Sequence, residues 1–430
     1  MSRSRTFASL SVYNYRVYFA GALVSNVGTW MGRTAQDWLV LTQLTDNSST
    51  ALGIVTALQF APVVLLAPFA GAITDRFPKR RILFGTQTAL AVTAALLAAL
   101  VLTDVVTLWQ VYALALLQGV ATALDNPSRQ AFVSEMVESD MLSNAVGLNA
   151  TSFNAARLIG PGIAGLCIGL LGTGQTLVFN TFSFIAVLIA LKAMRPAELM
   201  PSPQVRGKGK VREGLAYVRR RPDLMLIMFM VFMLGTFGMN FQITIALMAT
   251  AVFHQGAAEY GLLGSIMAIG SLAGALMAAR RQRPRLRIVL GSLIGFTICS
   301  ALAALAPSYI LFALFLVPTG LCAITTLNTA NATVQLSVTP VMRGRVMALY
   351  MAIFLGGTPV GAPVIGWIGS AWGPRWTILV GSIATAITVG AVMIYLMRGK
   401  DLQLRLEGRP IPHLEVRHRD GADLAGERVA

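Results

Sequence analysis

The sequence predicts an all-α membrane protein with twelve transmembrane helices in two six-helix, pseudo-symmetric bundles. Three observations carry this. Of 430 residues, 55% are hydrophobic and only 12% charged, with a mean hydropathy of +0.68; a soluble domain carries about twice that charge. Apolar runs recur along the chain, each long enough to cross roughly 30 Å of hydrocarbon at 1.5 Å per residue. Cations gather in alternate short loops between those runs, as retention on the cytoplasmic side requires.

The runs fall at 17–44, 50–73, 82–102, 108–130, 142–171 and 174–194, and again at 223–250, 258–280, 288–306, 309–338, 344–368 and 374–397. Residues 1–194 therefore make an N-terminal six-helix bundle and 223–398 a C-terminal one. A basic linker at 195–222 contains Pro and Gly and is expected in the cytoplasm. Residues 399–430 mix both charges with Gly and Pro and are expected to form a disordered cytoplasmic tail.

Loop charge sets the orientation. Arg3, Arg5 and Arg16 open the chain, and Arg76, Lys79, Arg80 and Arg81 fill the turn between the second and third runs. Arg195 to Arg221 load the linker, Arg280 to Arg287 the eighth-to-ninth turn, and Arg343 and Arg345 the tenth-to-eleventh. The opposite loops, near Asp46, Asp104, Gly172, His254 and Pro307, are almost free of cations, with Arg375 the exception. The expectation is a multi-pass protein of the bacterial inner (plasma) membrane with both termini cytoplasmic.

The net charge of +16 does not indicate nucleic acid, because the basic residues sit in these loops and read as topology signals and lipid headgroup contacts. Cys167, Cys299 and Cys322 lie inside apolar runs, without metal-ligand spacing or a disulfide framework, and read as small buried hydrophobes. The three histidines lie in a loop or the tail. No Ser/His/Asp or metal cluster emerges, and no phosphate-binding loop. The expectation is a non-enzyme without cofactor or metal that is not a self-contained ATP-driven pump. No cleavable signal peptide is evident, since the first apolar run continues for a full span.

An internal repeat runs through the chain. An offset of 201 residues relates Lys79 to Arg280, Arg80 to Arg281, Gly119 to Gly320, Gly160 to Gly361 and Gly165 to Gly366. Two like bundles joined by a linker give such a parallel repeat.

The turn from Gly71 to Arg81 organises the rest. Gly71, Asp75, Arg76, Lys79 and Arg80 resemble the G-x-x-x-D-R-x-G-R-[RK] turn of the major facilitator superfamily, with Pro78 where the family usually has Gly. Gly147, Ala156, Gly160, Pro161, Ala164 and Gly165 are similar to the antiporter motif of the fifth helix, with two glycines replaced by alanine. In the fourth helix Gln118 and Gly119 are present, but Ala115 stands where related drug antiporters carry arginine. The resemblance covers nearly the whole chain short of the tail. Trp30 to Val40, Asp125 to Ala131 and Arg343 to Met347 are similar to the branch containing siderophore and macrolide exporters, enterobactin exporters among them.

The resemblance implies roles for several residues. The cation of the turn, Lys79, would pair with Asp125 and, with Asp75, gate the cytoplasmic side; simple retention of the turn inside is the plainer reading. Gly160 and Pro161 would serve either export or close packing alone. The first and fifth helices would border the transport path.

Ionisable groups at membrane depth cost roughly 2.5–3.5 kcal/mol or more to insert, so they point to function. Arg33 and Asp37 share one face of the first helix, four residues apart, and Arg157 lies midway along the fifth. Asp37 is expected to pair with Arg33 or Arg157, as a coupling carboxylate or as a fixed structural ion pair. Burial favours the protonated acid and a nearby cation the carboxylate, so moving partners would let Asp37 exchange a proton. Asn328 and Asn331 lie on the unusually polar tenth helix and are candidates for a wet cavity. Phe229, Phe232, Met233, Phe237 and Met239 on the seventh offer adaptable apolar surface, more simply read as core.

The function this implies is a secondary active exporter, a proton antiporter of amphipathic small molecules such as drugs or siderophores, working by alternating access. Its partners are the small-molecule substrate, protons and the lipid bilayer. A proton-coupled nutrient importer, and a membrane receptor or lipid scramblase that does not pump, are the alternatives.

Overall fold

A computed structural model describes residues 5–200, 211–279, 286–398, 402–407 and 413–418. Arg3, Arg206, Lys208, Lys210 and the cations from Arg280 to Arg285, with the rest of the expected tail, lie outside these. Among the described residues, nine helices are long and apolar enough to cross a bilayer, or ten if one bent pair is a single span.

In chain order the helices begin with α1 (Tyr13–Trp38), which passes into a wider π turn at Leu39–Leu44. The bent pair is α2 (Ser49–Leu65) and α3 (Ala67–Arg76), turned by 59°. Pro62 lies in the last turn before the bend and removes a backbone donor there. Next come α4 (Lys79–Leu102), α5 (Leu108–Met136), α6 (Ser139–Leu171) and α7 (Thr173–Ala193). After a short, amphipathic α8 (Val211–Arg219), one span is built from α9 (Pro222–Met233), a π turn at Leu234–Gly238, α10 (Phe241–Leu247) and a second π turn at Met248–Val252. The last five helices are α11 (Ala257–Ala279), α12 (Leu286–Leu305), α13 (Tyr309–Ser337), α14 (Pro340–Trp372) and α15 (Pro374–Arg398).

All twelve expected runs are thus helical. Only α1 and α5 fall outside the ten apolar spans, although they are 26 and 29 residues long. Their apolar character is diluted by side chains such as Gln36 and Asp37 on α1, and Gln118 and Asp125 on α5.

The repeat extends to the element boundaries. Helices α5, α6 and α7 begin 201 residues before α13, α14 and α15, and the ends of α5 and α6 keep that offset. Thr107 and Ser308 cap α5 and α13 with their hydroxyls, satisfying backbone donors left free at a helix start. Gly172 and Gly373 make the next-but-one turns, both at φ +99°, a conformation that a side chain would strain.

The chain divides into two compact units, Met1–Gly207 with Ile245–Ser265, and Lys208–Thr244 with Ile266–Ala430. In the first unit, α1 packs on α6 and α7, α4 on α5 and α7, and α2 on α5. Gly119 of α5 lies so close to α2 that a Cβ there would meet the Leu58 and Gln59 carbonyls at 2.7 Å. One cluster of its core gathers Tyr15, Tyr18, Leu83, Phe132 and Met136.

In the second unit, Gly320 of α13 makes the matching approach to the Met267 carbonyl of α11, at 2.5 Å from a built Cβ. The π turn at Leu234–Gly238 packs on α14 and α15, where Gly357, Gly361 and Gly381 leave space for the backbone of Thr236 and Phe237. Arg345 of α14 pairs with Glu213 of α8 at 2.9 Å.

Where composition predicts a disordered tail, Leu402–Glu407 and His413–His418 pair as an antiparallel two-stranded sheet, Leu402 opposite His418. The physical signal is a period of two: Leu402, Leu404 and Leu406, then Leu414 and Val416. The tail's overall composition concealed it.

Candidate functional site

Three groups of ionisable side chains stand out in the first unit. The first is the turn that organises the sequence. Lys79, at the start of α4, pairs with Glu135 of α5 at 2.9 Å, and both side chains are nearly buried, at 12% and 8% exposure. The expected partner, Asp125, is not there to receive it. Arg129, one turn along α5, holds Asp125 Oδ2 through Nε at 3.0 Å and Nη2 at 2.9 Å. Thr86 and Gln87 of α4 donate to Asp125 Oδ1 at 2.8 and 2.7 Å. Both oxygens of Asp125 are thus taken at the level of Thr86 and Gln87, about two turns of α4 beyond Lys79, which meets the carboxylate near the end of α5 instead. The Lys79–Asp125 latch is therefore replaced by two separate ion pairs.

Around them, Thr74 and Ser128 share a hydrogen bond at 3.0 Å, and Arg80 Nε donates to the Leu191 carbonyl near the end of α7 at 2.9 Å. Asp75 and Arg76 are exposed and make no ion pair among the described residues. A Cβ at Gly71 would meet nothing within 4 Å.

The second place joins α1, α2 and α6. The Arg33 guanidinium lies 5.4 Å from the Trp30 ring centre and 5.3 Å from that of Phe60. The Arg157 guanidinium lies 5.7 Å from the same Trp30 ring, and Phe153 meets that ring edge-on at 6.0 Å. Gly160 makes this possible, because a Cβ there would lie 2.6 Å from Trp30 Cβ and 3.2 Å from the Val27 carbonyl. The small residue of the fifth-run motif thus sets the α1–α6 distance that brings Arg157 to Trp30.

The third place is Asp37, which is 4% exposed. Its expected partners were Arg33 or Arg157, and neither forms an ion pair with it. Its Oδ2 accepts instead from the Tyr260 hydroxyl at 3.3 Å, and Tyr260 stacks on Trp38 at 6.3 Å. Tyr260 belongs to the Ile245–Ser265 segment that packs with this unit. Pro161, Gly165, Gly261 and Gly264 seat that segment on α6; a Cβ at Gly264 would meet Pro161 Cβ at 3.0 Å. Pro161 therefore acts as a packing surface as well as an interruption of its helix.

Between α1, α2, α4, α5 and α7 lies a cavity of about 50 Å³, with Arg33, Gln36, Gln59, Gln118 and Asn180 on its polar side and Leu90, Leu97 and Phe184 on its apolar side. That is room for water molecules. Gln59 donates to Gln36 Oε1 at 3.3 Å, whereas Gln36 Nε2 and Asn180 Oδ1 are buried without a partner among the described residues.

In the second unit, Asn331 accepts from Gln335 at 2.8 Å, and Asn328 is exposed. The adjoining Thr326 hydroxyl donates to Ser292 of α12 at 2.8 Å, which spends part of the tenth run's polarity on helix contacts. Phe229 and Phe232 are exposed, whereas Met230 and Val231 between them, and Met228 before them, are buried.

Sequence reasoning missed Glu135, the partnership of Arg129, and Tyr260. Glu135 carried a usable signal, as an acid within the apolar end of its helix, near the same end of the helix pair as the basic turn. Arg129 stands four residues after Asp125, the spacing of a helical ion pair. Tyr260, 223 residues from Asp37, carried none.

The comparisons bear on the family and the fold. The staphyloferrin A transporter of Staphylococcus aureus is 24% identical over 91% of this chain and 98% of its own length. The enterobactin exporter EntS of Citrobacter koseri is 23% identical over 99% of this chain and all of its own. Among solved structures, a bacterial homologue of the human lysosomal transporter Spinster, in an inward-facing conformation, superposes with a TM-score of 0.70 at 15% identity, covering 89% of this chain and 95% of that one. Residues 4–419 match the family of transmembrane secretion effectors. With the basic turn, the repeated helices and that match in hand, the chain belongs to the transmembrane secretion effector family, and is a multi-pass membrane transporter of the major facilitator superfamily.

Proposed function

We propose that the chain is a secondary active exporter of amphipathic small molecules, siderophores or drugs, driven by proton entry and working by alternating access between two bundles. On this reading the basic turn and both termini face the cytoplasm. The names of the relatives support export. The observation that supports proton coupling is Asp37, a buried carboxylate at membrane depth whose hydrogen bond comes from a neutral hydroxyl rather than a cation. Such a group is costly unless it works, and a neutral partner leaves it free to take up and release a proton. Asp37 thus takes the role left open by Ala115.

The test is flux in proteoliposomes with and without a pH gradient. Export is expected to accelerate when protons move against the substrate. Uptake alongside protons would indicate a nutrient importer, and gradient-independent movement of lipid a scramblase; either overturns the reading. Susceptibility profiling of a deletion strain would then narrow the substrate.

A further inference from the structure

We propose that Arg33 and Arg157, sharing the ring of Trp30, form a subsite for the carboxylate of an amphipathic organic anion, so that the exported molecule is an acid; this rests on the export reading above. The other buried cations of the same unit set the contrast. Lys79 has Glu135 at 2.9 Å, and Arg129 has Asp125 at 2.9 Å. Arg33 and Arg157 have no ion-pair partner among the described residues. Their contacts are aromatic: Trp30 for both, and Phe60 for Arg33.

Two like charges within reach of one indole repel each other, and a structural use of either would call for a carboxylate beside it. Asp37 is one turn along α1 from Arg33, but its hydrogen bond comes from Tyr260. Counting its charge, the group keeps one net positive charge.

A carboxylate fits this arrangement. Guanidinium groups bind it through paired N–H donors, and each ring face leaves the edge of a stacked guanidinium free to donate. Trp30, Phe60 and Phe153 offer apolar surface beside the charges for the body of the molecule. The cavity that Arg33 also lines sets Gln36, Gln59, Gln118 and Asn180 beside it, without a protein anion. Gly160 fixes the geometry, because the α1–α6 approach it permits holds both arginines to one ring.

The test uses the purified full chain in lipid nanodiscs and two fluorescent probes of one shape, dansylglycine and its uncharged amide, dansylglycinamide. The acid is expected to bind about tenfold more tightly than the amide. Arg33→Gln and Arg157→Gln are each expected to reduce that preference to about threefold or less, with the amide's affinity unchanged. Should those variants fail to fold, Arg33→Lys and Arg157→Lys keep the charge, lose the paired donors and are expected to weaken the acid selectively. Acetate is expected to compete only weakly; acetate competing as well as dansylglycine would mean a general small-anion site and overturn the assignment to an amphipathic substrate. Equal affinity for acid and amide, or a preference that survives both Gln substitutions, overturns the subsite. Efflux of the two dyes from proteoliposomes under a pH gradient is read in parallel. Driven efflux without preference sinks the subsite and leaves export standing, whereas preference without driven efflux does the reverse.

Discussion

Lys79 and Glu135 meet at 2.9 Å across the α4–α5 contact, while Asp125, ten residues earlier on α5, is held by Arg129. The two carboxylates of α5 therefore serve different cations, and their loss should be felt differently.

Glu135→Gln leaves a nearly buried ammonium without its counter-charge. A loss of about 3 kcal/mol is expected, as for breaking a buried pair from one side. Thermal unfolding of the detergent-solubilised protein measures it. Lys79→Met combined with Glu135→Leu should recover much of the loss, because no charge is then left unpaired.

Asp125→Asn removes the acceptor of a bidentate guanidinium and two further donors. It is expected to cost about 3–5 kcal/mol, and Asp75→Asn, at an exposed position, less than about 0.5 kcal/mol. Unfolding scans of the two variants side by side check the ranking. A gating role for Asp75 would appear instead as altered labelling of cytoplasmic cysteine reporters with unchanged stability.

Asp37→Asn keeps an oxygen to accept from Tyr260 but cannot carry a proton. Flux driven by a pH gradient is expected to fall by about a hundredfold, within the range that losing a proton-transfer group costs, while substrate exchange without a gradient persists. Tyr260→Phe should retain driven flux and cost about 1 kcal/mol of stability for the lost hydrogen bond. Driven flux at the normal rate in Asp37→Asn would remove this residue as the carrier.

Gly160→Leu forces a side chain into Trp30 and the Val27 carbonyl, neither of which is the free end of a flexible chain. A cost of about 1–3 kcal/mol is expected, with loss of transport. Gly147→Ala, on the same helix with nothing within 4 Å of the new Cβ, should be neutral or stabilising by up to about 1 kcal/mol. Expression, monodispersity and flux of the pair separate packing from helix propensity.

A membrane potential gives an independent check on an anionic cargo. With the pH gradient clamped at zero, a negative interior favours exit of a monovalent acid by about 2.3 kcal/mol per 100 mV more than exit of its neutral amide, because the entering protons contribute equally to both. Efflux of dansylglycine should then rise more steeply with potassium–valinomycin clamping than efflux of dansylglycinamide.

Much of this was legible in the sequence because it rests on runs and periods. Apolar stretches fixed where the helices lie, and glycine matches at one offset found the repeat that the bounds of α5, α6, α13 and α14 display. Gly160 was recognisable as a close-approach position because small residues serve that purpose in membranes. Partner choice was not legible. Lys79 has Asp125 and Glu135 on one facing helix, ten residues apart, and the level at which α4 and α5 meet, with Asp125 opposite Thr86 and Gln87, decides between them. The Asp37–Tyr260 contact depends on a chain segment that folds back onto the first unit from far along the sequence. The strand pair Leu402–Glu407 and His413–His418 escaped because composition averages away a period of two.

The π turn at Leu234–Gly238 bears on every later reading of the seventh span. An α-helix advances about 100° per residue, and a π turn takes one residue more to come round. A helical wheel drawn straight through 222–252 therefore goes out of phase beyond Gly238, and Phe232 and Met239, seven apart, do not share the stripe that such a drawing gives them. A homologue lacking one residue in that turn would rotate everything downstream and present a different set of side chains, with no change in its hydropathy profile.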